Sequence, residues 1–104
     1  MLKGARSYDE HLIQSLKDPA EASSYLQTAL EDGNRQVFLV ALRNVAVALG
    51  GVRELSKRTK LNRESLYRVL SEKGNPELGT LNSILGALGL EVAIRPKKRQ
   101  KRVA

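Results

Sequence analysis

The 104-residue sequence contains no cysteine and no tryptophan, and only one phenylalanine and one histidine. Without cysteine there is no disulfide framework, and His11 alone cannot supply the ligand set of a structural zinc site, so neither metal nor cofactor is expected. No apolar run approaches the roughly 18 residues of a membrane span, and the stretch from Met1 to Tyr8 lacks the apolar region of a signal peptide. Catalytic constellations are missing as well. The carboxylates Asp9 and Glu10, and Glu31 and Asp32, are neighbours in sequence, and on a helix neighbours point apart. No glycine-rich phosphate loop of either usual spacing occurs. These absences describe a non-enzymatic, soluble, cytoplasmic protein with no membrane partner.

What is abundant is positive charge: 18 Lys and Arg against 11 Asp and Glu, for a net +7. The charge is unevenly placed. Residues 1–35 carry 4 basic and 6 acidic groups, net −2, and residues 36–104 carry 14 basic and 5 acidic, net +9. Such asymmetry points the second part of the chain toward a polyanion. Five of the basic residues lie between Lys97 and Arg102, and without them 13 basic face 11 acidic. The tail therefore admits two readings, a disordered solubilising terminus or extra phosphate contact. Net charge alone does not establish nucleic-acid binding, and individually placed arginines are the better guide.

With 41% apolar residues the chain can build one modest core. Leu12, Ile13 and Leu16 indicate a short helix from about Tyr8. Asp18-Pro19-Ala20-Glu21 is a helix start, with Asp18 as cap, Pro19 in the first position and Glu21 three residues after the cap. Ala22, Tyr25, Leu26, Ala29 and Leu30 follow at helical spacing, and Asp32-Gly33-Asn34 ends the helix. From Gln36 to Leu49 apolar residues point all round the cylinder, which predicts a helix buried on every side. The Pro19 helix should cover one of those sides, making the acidic N-terminal part a lid on the core. Gly50-Gly51 stops the central helix. Short helices over Val52–Thr59 and Arg63–Leu70 flank a turn at Lys60-Leu61-Asn62, and Lys73-Gly74-Asn75-Pro76 forms a loop. Thr80 is expected to cap a helix carrying Leu81, Ile84, Leu85 and Leu88, closed by Gly89. The alternation of Leu90, Val92 and Ile94 then reads as a short strand.

Two short helices joined by a tight turn suggest a helix-turn-helix. That motif should bury Leu55, keep a small residue at the crossing (Ser56), half-bury Thr59, drive Leu61 inward and bury Leu66, Val69 and Leu70. It leaves Asn62, Arg63, Glu64, Tyr67, Arg68 and Ser71 outward, where a recognition helix would meet a major groove. Arg63 and Arg68 are the foremost candidates, since arginine binds guanine O6 and N7 in bidentate fashion. The competing reading is an ordinary exposed helix in which Glu64 pairs with Arg68 at i, i+4. Asn62 is expected to cap the helix, and Tyr67 divides between packing and groove contact. Arg53, Lys57, Arg58 and Lys60 would meet phosphates and add affinity without reading sequence.

The run Leu55-Ser56-Lys57-Arg58-Thr59-Lys60-Leu61-Asn62-Arg63-Glu64-Ser65-Leu66-Tyr67-Arg68-Val69-Leu70-Ser71, then Gly74-Asn75-Pro76 and Thr80-Leu81, resembles the addiction-module antidote family, antitoxins of the Cro/C1-type (XRE-like) helix-turn-helix group. The resemblance extends from about Tyr8 to Ile94 and includes Tyr25-Leu26-Gln27-Thr28-Ala29-Leu30-Glu31-Asp32-Gly33. It implies a bacterial type II antitoxin that binds double-stranded operator DNA, represses its own operon and neutralises a small basic toxin of the RelE/ParE-like class. Two positions depart from the family pattern: Ser56 stands where alanine is usual and Lys60 where glycine is usual. A left-handed Lys60 would cost on the order of 1 kcal/mol relative to glycine.

The expected architecture is an all-α, lambda-repressor-like fold of five or six helices with one short C-terminal strand. Residues 1–7 form a flexible N-terminus, 8–95 a single domain (with 8–34 an N-terminal extension and 52–71 the helix-turn-helix) and 96–104 a disordered basic tail. A lone strand leaves both edges unpaired, so Leu90, Val92 and Ile94 should pair with the same strand of a second subunit or with the toxin, or else lie on their own domain. A homodimer would read half-sites about 34 Å apart in a palindromic operator. The acidic residues 8–32 are the first candidate for toxin contact and the strand is the second. A stand-alone prophage-type repressor and a non-specific RNA-binding or nucleoid-compacting protein remain as alternatives.

Overall fold

Helix boundaries follow capping chemistry along most of the chain. In a computed structural model, which describes residues 10–71 and 73–97, residues 10–15 are helical (α1). They are followed by α2 (Pro19–Glu31), α3 (Arg35–Ala48), α4 (Gly51–Thr59), α5 (Arg63–Val69) and α6 (Leu78–Ala87). Asp18 caps α2, its carboxylate accepting a 2.9 Å hydrogen bond from the Ala20 amide, and Pro19 occupies the first helical position. Asn34 caps α3 by accepting from the amides of Gln36 and Val37. The chain bends by 90° between α3 and α4. Gly50 and Gly51 make that corner with φ of 116° and 85°, a pair of conformations that only glycine adopts readily. At the far end Gly89 is left-handed and the Leu90 amide donates to the Leu85 carbonyl, closing α6 with a six-to-one bond.

The core is one continuous cluster. Leu16, Ala22, Leu26 and Ala29 from the N-terminal part pack with Leu39, Leu42 and Val45 of α3, Leu55 of α4, Leu66 and Leu70 around α5, and Ile84, Leu85 and Leu88 around α6. The acidic N-terminal segment is thus joined to the core through its apolar stripe. Tyr25 of that stripe is half-buried and Leu30 is exposed, because only one side of α2 meets α3.

Three sequence expectations need correction. The central helix is not buried on every side: Leu39, Ala41, Leu42, Val45, Ala46 and Ala48 are buried, but Val37, Val40 and Val47 are 42, 45 and 47% exposed. α3 packs chiefly against α2 and α4, while α5 and α6 pack chiefly on α4, so these three valines are left uncovered. Thr80 does not cap α6. The helix begins at Leu78 after Glu77, which makes no side-chain cap bond, and Thr80 falls inside the first turn. No strand occurs among the described residues, and Leu90, Val92 and Ile94 belong to an irregular segment. Alternation specifies which residues share a face, but a strand also needs a neighbouring edge, and here no ladder forms. Leu90 is half-buried, Val92 is exposed, and Ile94 is 95% exposed. The expected flexible N-terminus (1–7) and all of the expected tail beyond Lys97 lie outside the described residues.

Candidate nucleic-acid interface

The turn between α4 and α5 is held by side chains at both ends. Lys60 is left-handed, with φ of 69°, and its amide donates to the Ser56 carbonyl at 2.9 Å. The Ser56 hydroxyl donates to the Leu61 carbonyl at 2.6 Å. Thr59 works in both directions, its hydroxyl donating to the Leu55 carbonyl at 2.8 Å and accepting from the Leu61 amide at 3.1 Å. Asn62 then caps α5, accepting from the Ser65 amide at 2.8 Å. With the backbone groups of the turn satisfied in this way, α5 has one defined seat on α4.

That seat divides α5 into two faces. Leu66 and Leu70 are buried and Val69 is half-buried in one cluster with Leu55 of α4 and Leu61 of the turn, and Ser56 and Thr59 are half-buried. Asn62, Arg63, Glu64, Tyr67 and Arg68 are all exposed, and Tyr67 is 62% so. Among the described residues neither Arg63 nor Arg68 makes an ion pair, and the i, i+4 pairing of Glu64 with Arg68 does not form. Arg53, Lys57 and Lys60 are exposed on α4 and the turn.

Two residues stand apart from this surface. Ser71 is half-buried, and its hydroxyl donates to the Arg68 carbonyl at 2.8 Å and accepts from the Lys73 amide at 3.3 Å. It closes the C-terminal end of α5. Arg58 bonds Glu54 at 3.0 Å and the Ala87 carbonyl at 3.2 Å, which ties α4 to the C-terminal end of α6. A cation at that end also meets the negative pole of the helix. Its partner lies 29 residues away, so nothing in the local spacing announced this role.

The Gly74-Asn75-Pro76 loop supports the same assembly from behind. A Cβ on Gly74 would collide with the Val69 carbonyl oxygen and lie 3.0 Å from that of Arg68. Only glycine lets this loop press on the last turn of α5. His11 is exposed, and no group of three or more His, Asp or Glu that could hold a metal ion occurs among the described residues. No single helix among them is long and apolar enough to cross a membrane.

A family model described as "Probable addiction module antidote protein" matches residues 7–96. A Haemophilus influenzae (strain Rd) protein described as uncharacterised is 28% identical over 90 residues, covering 86% of this chain and 92% of that protein. No solved structure matches.

Proposed function

Because this chain belongs to the probable addiction module antidote proteins, whose role is that of the antitoxin in a toxin–antitoxin pair, we propose that it binds operator DNA as a homodimer through α5 and represses its own operon. The observation that carries this reading is the exposure of Arg63 and Arg68, neither of them in an ion pair among the described residues, on a helix whose other face is locked to α4. Arg63 and Arg68 read guanines in the major groove, and Asn62, Glu64 and Tyr67 flank them. Arg53, Lys57 and Lys60 contact phosphates. Ser71 acts by holding the end of α5. The dimer forms through residues 90–95, where Val92 and Ile94 are exposed and no ladder partner exists among the described residues. The toxin is a small basic protein of the RelE/ParE-like class, in keeping with the acidic balance of residues 8–32.

The concentration of basic residues beyond Pro96 favours a second reading, a protein that binds nucleic acid without regard to sequence. Competition between operator and random duplex at about 150 mM salt separates the two, since specific complexes are typically ~10³-fold or more tighter. Near-equal affinity overturns the repressor reading. Deleting residues 97–102 should weaken all duplexes alike and flatten the salt dependence.

A further inference from the structure

A groove of about 830 Å³ opens between α1, α2 and α3, and none of its lining residues comes from α4, α5 or α6. Its floor is apolar. Val37 and Val40, one helical turn apart on α3, are 42 and 45% exposed there, with Leu12 and Tyr25 on the walls. The Tyr25 hydroxyl accepts a 2.9 Å hydrogen bond from the Asn44 side-chain amide, which fastens α2 to α3 and keeps the groove preformed. Among the described residues its only charged lining groups are the carboxylates of Glu21 and Asp32.

This combination selects its occupant. Phosphates are repelled by the carboxylates, which excludes the DNA backbone. A second copy meeting the groove about a two-fold axis would set Glu21 and Asp32 against the same acids of its partner, since such an interface uses one patch twice. A segment carrying an apolar row at i, i+3 or i+4 and lysine or arginine on its flanks satisfies both the floor and the rim. We propose that this groove is the toxin-docking surface and that a basic amphipathic helix of the toxin fills it, an inference that rests on the antitoxin reading. Toxin and DNA are then held by different elements, so one chain carries both at once.

The native chain has no cysteine, so Val40→Cys places a single thiol in the groove floor. The full-length variant is purified alone and with the toxin encoded in its own operon, and the thiol's reaction with a maleimide is timed. Complex formation should slow labelling by about tenfold or more, and Glu21→Gln with Asp32→Asn should weaken toxin binding by about tenfold or more while leaving discrimination between operator and random duplex unchanged. Glu21→Lys with Asp32→Lys should weaken toxin binding further. A thiol that stays equally reactive in the complex, or charge-reversed chains that bind as tightly, overturn the groove and leave the antitoxin reading intact. Failure of the unaltered chain to bind that toxin overturns both. Two further results reassign the groove to this chain itself and overturn the proposal. One is conversion of a dimer to a monomer by Val40→Glu in sedimentation, and the other is faster labelling on deletion of residues 98–104 without toxin.

Discussion

The hydroxyl of Ser56 donates to the carbonyl oxygen of Leu61 across the left-handed Lys60, so a side chain from the last turn of α4 holds the first residue beyond the bend. Lysine carries the left-handed backbone at a cost on the order of 1 kcal/mol. The serine bond contributes a similar amount in the other direction.

Lys60→Gly should therefore stabilise the fold by about 0.5 kcal/mol, since relief of the backbone strain is partly offset by the freedom glycine gains in the unfolded chain. Ser56→Ala should destabilise it by about 1 kcal/mol by leaving the Leu61 carbonyl without its partner. Urea unfolding of both variants and the double variant checks this. The two effects should fail to add by about 0.5 kcal/mol, because both residues hold the same turn. Strict additivity would mean that the serine bond does not support the bend.

Gly74→Ala should cost about 2 kcal/mol or more, because its methyl group would meet backbone at the end of α5 and not a flexible side chain. Thermal and urea midpoints read the loss. DNA affinity should fall with it, since the loop presses on the last turn of the helix that carries Arg68. A neutral Gly74→Ala would refute the close approach.

Leu26→Ala should remove about 2–4 kcal/mol from global stability and retain a single unfolding transition, as Leu26 is 6% exposed within the shared cluster. Hydrogen exchange distinguishes the outcomes. If α1 and α2 were a detachable flap, only their own amides would lose protection and α6 would keep its full value.

Arg63→Ala and Arg58→Ala should behave differently although both delete a guanidinium group. Arg63→Ala should lower discrimination between operator and random duplex by about 1–3 kcal/mol and leave the urea midpoint unchanged. Arg58→Ala should lower stability by up to about 1 kcal/mol, through its exposed pair with Glu54 and its bond to the Ala87 carbonyl, and leave discrimination intact. Binding isotherms at two salt concentrations alongside urea melts give the comparison.

Most expectations that held could be stated from a few consecutive residues. Asp18 and Asn62 declared themselves as caps, Gly89 as a stop, and the face of α5 that carries Leu66 followed from helical spacing. These are local matters, decided by backbone donors within one turn of the residue concerned. The α5 surface was legible for the same reason, because the apolar residues that seat the helix also determine which side chains point away.

Most of the errors concern partners; the exception is Thr80, a local misreading of where α6 begins. Val37, Val40 and Val47 look as buried in sequence as Leu42, and only the arrangement of α2, α4, α5 and α6 leaves them uncovered. Leu90, Val92 and Ile94 alternate as a strand does, yet pairing needs a second edge that the described chain does not supply. Arg58 resembles its neighbours until α6 brings a carbonyl to it. Periodicity along the chain encodes the faces of its helices, but which of those faces meet is a property of three-dimensional packing, in which residues far apart in sequence compete for the same contact.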